Sequence, residues 1–257
     1  MSARILRPLV LAAVAVLGLS ACGSADDGSD DEQQQRLTVF AAASLTDSFT
    51  DLAEQFEEDH PGVDVQLSLA GSSSLVTQLQ EGADADILAT ADERTMEQAA
   101  ESGLLEGDPQ ILATNTLTIA VPAGNPGGVD SWEDLASSEL DTVICEQRVP
   151  CGAATVELED ITGVRVAVVS EESSVTDVLG KVTSGQADVG VVYRTDVTSA
   201  GDQVEEIEIP DADQAINRYP ISVLADSQHQ ELAQEFSDFV RSDTGRQRLE
   251  QEGFGAP

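Results

Sequence analysis

From Arg36 onward, short runs rich in β-branched residues alternate with amphipathic stretches, and few folds accommodate that rhythm. Leu37 to Ala41 reads as a strand. Leu45, Phe49, Leu52 and Phe56 then recur at spacings of four, three and four, the stripe of a helix packed on a sheet. His60-Pro61-Gly62 should stop that helix, because proline restrains the residue before it and glycine favours a turn. Val63 to Leu69 is the next strand, residues 72–82 the next helix, and Asp86 to Thr90 a third strand. A βαβαβ order implies a parallel sheet with helices on its faces. The second half continues in the same style, with strands at Thr116 to Val121, Thr142 to Cys145, Arg165 to Val169, Val189 to Tyr193 and Pro220 to Leu224. Helices are expected at Trp132 to Ser137, Cys151 to Leu158, Val175 to Thr183, Gln230 to Val240 and Thr244 to Gln251. That is more than one small sheet needs, so an α/β fold of two lobes is expected, with no sequence repeat relating them.

The segment before this alternation has a different character. Arg4 and Arg7 precede an apolar run from Leu9 to Leu19, followed by small residues ending at Cys22, the layout of a secretory signal peptide over residues 1–21. The run is short for a transmembrane helix. Leu19-Ser20-Ala21-Cys22 resembles the lipobox of bacterial lipoproteins, in which Cys22 would carry the lipid. Residues 22–36 are polar and acidic without periodicity and read as a flexible tether. In an exported chain the remaining cysteines, Cys145 and Cys151, are expected to be bridged rather than free. Zinc would find too few partners.

Charge narrows the partners. With 12 Lys+Arg against 48 Asp+Glu, the formal net charge of −36 argues against nucleic acid and against electrostatic contact with a membrane. A serine hydrolase needs a base beside its nucleophile, and the only histidines, His60 and His229, lie away from the serine-bearing strand-to-helix junctions. The sequence contains no G-x-S-x-G elbow, P-loop or H-E-x-x-H motif, so no enzymatic activity is expected.

The stretches VFAAASLTDSF, PGVDVQLSLAGSSSLVTQLQEGADADILATAD, VPCGAA and QADVGVVY resemble, in order and spacing, the ModA family of molybdate-binding proteins that serve ABC transporters. The resemblance covers about Leu37 to Phe254. It implies a type II periplasmic-binding-protein fold, with lobe 1 at 37–121 plus 211–257 and lobe 2 at 122–210, and lobe closure over molybdate or tungstate. It further implies no cofactor, molybdenum held only as an oxyanion without direct cation ligands, and a monomer exported to the outer face of the cytoplasmic membrane. The anion would pass to a permease driven by an ATPase. Sulfate or phosphate is the alternative ligand.

In such a site the serines have a physical role. A tetrahedral oxyanion needs donors on several sides, and a helix start offers unpaired backbone N–H groups and a positive dipole end. Ser44 in AAAS and Ser72 in GSSS would add hydroxyl donors, while the small neighbours let the anion approach the backbone. By resemblance, the opposing lobe supplies backbone N–H groups at Cys151 and Val175 and the phenol of Tyr193. Each has an ordinary alternative. The serines would also serve as N-caps, Tyr193 as a core aromatic, and Cys151 as a purely structural half of a disulfide with Cys145 that stiffens its loop.

Overall fold

The computed structural model describes residues 34–257. The signal peptide, Cys22 and most of the tether therefore lie outside the described residues. The first strand, β1 (Gln35–Ala42), starts earlier than expected and takes Gln35 and Arg36 out of the tether. Pairing is the reason: Gln35 and Arg36 lie in parallel register with Val63 and Asp64, and the Arg36 guanidinium sits 3.8 Å from the Asp64 carboxylate.

After β1, a 3₁₀ turn (Ala43–Leu45) leads into α1 (Thr46–Asp59), followed by β2 (Val63–Ala70), α2 (Ser72–Gln80), β3 (Ile87–Ala89), α3 (Glu93–Glu101) and β4 (Gln110–Asn115). Then come β5 (Leu117–Pro122), a short 3₁₀ helix (Trp132–Ala136), β6 (Thr142–Cys145), α4 (Pro150–Thr162), β7 (Val168–Glu172), α5 (Val175–Thr183) and β8 (Val189–Tyr193). The chain ends with α6 (Arg194–Ala200), β9 (Val204–Ile207), β10 (Asn217–Val223), α7 (Gln230–Val240) and α8 (Asp243–Gln251).

These strands form two five-stranded sheets of matching design, ordered β2-β1-β3-β10-β4 and β7-β6-β8-β5-β9. In each, three parallel strands are followed by one antiparallel strand, β10 in the first and β5 in the second. The chain passes from the first sheet to the second at Thr116, between β4 and β5, and returns between β9 and β10. The strand expected to end the first lobe, residues 116–121, thus belongs to the second sheet, where it pairs with β8 and β9. Residues 117–121 are buried on both faces and, Thr118 apart, apolar, and such a run does not reveal which sheet receives it.

Packing follows from strand alternation. Leu37, Val39 and Ala41 of β1 face a core with Phe49, Leu52 and Phe56 of α1 and Phe236 and Val240 of α7, whereas Phe40 points to the other face with Leu75, Leu79 and Met96. The second sheet surrounds its own core, centred on Trp132, Leu158, Val178 and Val191. Trp132 is fully buried, and its indole N–H donates to Thr162 Oγ1 at 2.9 Å.

The strand expected at Arg165 to Val169 forms three residues later, as β7. Arg165 is held by Glu159 and Asp160 at 3.0 and 2.6 Å, and the Val166 N–H donates to Glu159 Oε1, so residues 164–167 fold back on the end of α4. The strand instead runs into Glu171 and Glu172. The chain's single lysine, Lys181, hydrogen-bonds Glu172 and holds its carboxyl below the usual range.

Candidate functional site

The six parallel strands all end at the cleft between the sheets. Each is followed by a helix, and one residue from each junction, Ser44, Ser72, Ala91, Cys151, Val175 and Tyr193, lines a single small cavity of about 20 Å³. Crevices beyond the carboxyl ends of parallel strands are where α/β sheets bind ligands. The five residues singled out from sequence meet here. Ala91 completes the set. Its small-residue junction, Ala89-Thr90-Ala91, has the same character as AAAS, but without a recognised α3 it had no helix to announce it.

Each side chain has a defined setting. Ser72 is the first residue of α2, after the N-cap position at Gly71; its Oγ accepts from the Ala91 N–H at 3.0 Å, leaving the hydroxyl hydrogen free to donate. Ser44 lies in the 3₁₀ turn before α1, with its Oγ 2.9 Å from Tyr219 Oη. Neither serine caps its helix, so the N-cap alternative does not describe them. Cys151 is bridged to Cys145, with Cα atoms 5.7 Å apart, and thus has only its backbone to offer a ligand. Val175 follows Ser174, whose hydroxyl caps α5 by accepting from the Asp177 N–H. Ser72, Cys151 and Val175, which line the cavity, stand in the first turns of α2, α4 and α5, where backbone N–H groups have no partner within their own helix.

Tyr193 is the most telling residue. It is 1 % exposed, and its Oη finds no hydrogen-bond partner among the described residues. A buried hydroxyl left unpaired costs about 1–3 kcal/mol. The nearest phenol, Tyr219, packs edge-on with ring centroids 6.0 Å apart but does not satisfy it. Burial, and then the Tyr219, Asp92 and Asp196 charges, hold the Tyr193 pKa well above the usual phenol range, so it stays protonated and able to donate. Among the described residues, no Lys, Arg or His side chain lines the cavity. The site therefore consists of hydroxyl and backbone donors, and no group of three or more His, Cys, Asp or Glu suited to a metal cation occurs among the described residues.

The two sheets meet closely around the cavity. A Cβ on Gly71 would fall 2.2 Å from the Ser173 carbonyl oxygen, so only glycine allows this approach. The Arg148 carbonyl, in the loop closed by the disulfide, accepts from Ser73 Oγ at 2.8 Å and from Arg94 Nη2 at 2.9 Å across the cleft. Ser199 Oγ donates to Asp47 Oδ2 on the other flank. Beside that contact, burial pushes the Asp196 carboxyl up to about 7, against the lowering effect of the Tyr193 N–H it accepts. A larger cleft, about 560 Å³, lies at the other end of the first sheet, by the starts of β1 and β3, near Arg36, Asp86 and His229. There Asp86 is already satisfied by the Thr38 N–H and Ser227 Oγ at 2.8 and 2.6 Å, and among the described residues that line the space no buried side chain is left without a partner.

Residues 37–255 match the family described as bacterial extracellular solute-binding protein. The chain is 44% identical over 252 residues to the molybdate-binding protein ModA of Mycobacterium tuberculosis, covering 96% of this chain and 97% of the relative. Among solved structures, the substrate-binding domain of a putative molybdenum ABC transporter from Clostridium difficile aligns with a TM-score of 0.65 at 26% identity, covering 86% of this chain and 99% of that one. The periplasmic molybdate-binding protein of Azotobacter vinelandii has the same fold, with a TM-score of 0.74 at 20% identity over 86% and 99% of the two chains.

Proposed function

The chain belongs to the family of bacterial extracellular solute-binding proteins, with ModA among its relatives, and from that premise we propose that the Ser44–Tyr193 cavity captures molybdate for an ABC importer. It is a binding protein rather than an enzyme, carrying a transported ligand in place of a cofactor. The observation that carries the ligand assignment is the buried, unpartnered Tyr193 hydroxyl, facing serine hydroxyls and three helix starts in a cavity without cationic side chains.

A site made of donors suits a fully deprotonated tetrahedral dianion. A protonated oxyanion brings an O–H that needs an acceptor, and an unmet buried polar group costs about 1–3 kcal/mol, roughly tenfold or more in affinity. Sulfate has the charge and shape but is smaller, so closure of the two halves must set the distance. Tungstate resembles molybdate and should bind comparably. The contacts of Arg148 with Ser73 and Arg94 support a closed form in which the anion bridges both sheets, its contacts shifting the population toward closure. In the same reading, the mature protein is a monomer, anchored by lipid on Cys22 to the outer face of the cytoplasmic membrane, which presents the closed form to a permease and its ATPase.

Isothermal titration of anion-free protein with molybdate, tungstate, sulfate and phosphate tests the assignment. One-to-one binding of the first two in strong preference to the others is expected. Heat from sulfate or phosphate alone would reassign the ligand.

A further inference from the structure

We infer that Tyr219 and Asn115, which do not line the cavity, are positioning residues that force Ser44 to present a hydrogen to the ligand and so enforce selection against protonated anions; this rests on the oxyanion reading above. Asn115 is the last residue of β4, just before the chain crosses to the second sheet, and Tyr219 lies on β10, just after it returns. Both are buried, at 4 and 0 % exposure.

The direction of donation can be traced from Asn115. Its Oδ1 accepts the Thr116 N–H at 3.0 Å, which fixes the amide orientation. Its Nδ2 then faces Thr195 Oγ1 at 2.9 Å and Tyr219 Oη at 3.4 Å, and an amide nitrogen can only donate. Asn115 Nδ2 cannot accept, so among the described residues Ser44 Oγ, 2.9 Å away, is the hydrogen-bonded partner left to take the single hydrogen of the Tyr219 hydroxyl. Ser44 accepts that hydrogen and directs its own into the cavity. Without Tyr219, the Ser44 hydroxyl could rotate and accept a hydrogen from a ligand. The chain of donors thus converts an ambivalent serine into a donor. It also ties the site to both segments that connect the sheets.

The test is Tyr219→Phe, which keeps the edge-on packing against Tyr193 and Phe254 and removes only the hydroxyl. Affinities for molybdate and for inorganic phosphate, at a pH where phosphate carries a proton, are measured in parent and variant, with thermal unfolding as a folding control. The expected result is weaker molybdate binding together with a molybdate-to-phosphate preference narrowed by about tenfold. Equal weakening for both anions, or no change, would overturn the proposal. Asn115→Ala retains the phenol but removes the group that orients it; the same narrowing, smaller in size, is expected, and an unchanged preference would count against the relay even if Tyr219→Phe fails to fold. Parent protein that binds phosphate and not molybdate would overturn the ligand assignment itself, and is told apart by the parent titration alone.

Discussion

Tyr193 shows how a residue can be legible as a type and opaque as a role. Its place at the end of an apolar strand follows from the sequence, but that its hydroxyl lacks a partner follows only from what the second sheet and Tyr219 leave unfilled. Tyr193→Phe should weaken molybdate binding by about 1.5–3 kcal/mol, the range for hydrogen bonds to charged groups, with little loss of stability. An unchanged dissociation constant would remove Tyr193 from the site. Asp196 makes a separate prediction. Its carboxyl titrates near 7 in the folded protein against an ordinary 3.8, so the folded state holds its proton to higher pH than the unfolded chain does. Its contribution to stability is then greatest below the ordinary carboxylate range and declines as pH rises through about 7, by at most about 4 kcal/mol. Asp196→Asn keeps an acceptor for the Tyr193 N–H and should flatten that decline, leaving the variant more stable than the parent on the alkaline side. Denaturant unfolding across this range checks it; parallel curves for the two proteins would contradict it. Tyr219 and Asn115 were invisible in the sequence, since nothing local marks a buried phenol or amide as the partner of a serine 175 positions away.

At the scale of elements, strands and helices with strong periodicity were readable: β8, α5 and α7 fall where expected, and α1 follows its Phe49–Leu52–Phe56 stripe. Four elements were not assigned. α3 and α6 carry few large apolar residues, β4 is interrupted by polar positions, and β9 is half acidic, so none shows a clean period. The Cys145–Cys151 bridge was anticipated from compartment alone. Its location adds a function, because the loop it closes carries both the start of α4 and the Arg148 carbonyl that meets Ser73 and Arg94. Arg94 is a partly exposed side chain outside the cavity, so Arg94→Ala should leave molybdate association unchanged and speed dissociation about twofold to tenfold, the effect of one hydrogen bond made only in the closed form. Stopped-flow displacement of bound molybdate measures it. An unaltered off-rate would show that this contact does not latch closure.

For the whole molecule, two α/β lobes follow from the βαβ rhythm and the cleft between them from the family resemblance, whereas the sheet order and the point of crossing are legible only in the structure. The apolar run 117–122 suits either sheet, and only its pairing with β8 and β9 decides. The acidic composition presents a further question, since an anion must approach a protein of formal charge −36. Exposed charges are screened over about 8–10 Å in physiological salt, and the donors that hold the ligand act at contact distance. Capture is therefore compatible with the charge, but arrival should be slowed by it. The molybdate association rate is expected to rise with a non-competing salt, and a rate that falls would show that the positive helix starts at the cleft, not the net charge, govern arrival. The most direct test of the account is the anomalous difference density of molybdenum in crystals grown with molybdate. A single strong peak in the cavity, with oxygens in hydrogen-bond reach of Ser44 Oγ, Ser72 Oγ, Tyr193 Oη and the Cys151 and Val175 N–H groups, is the expected result. A peak anywhere else, in the cleft near Asp86 and His229 for example, would contradict it.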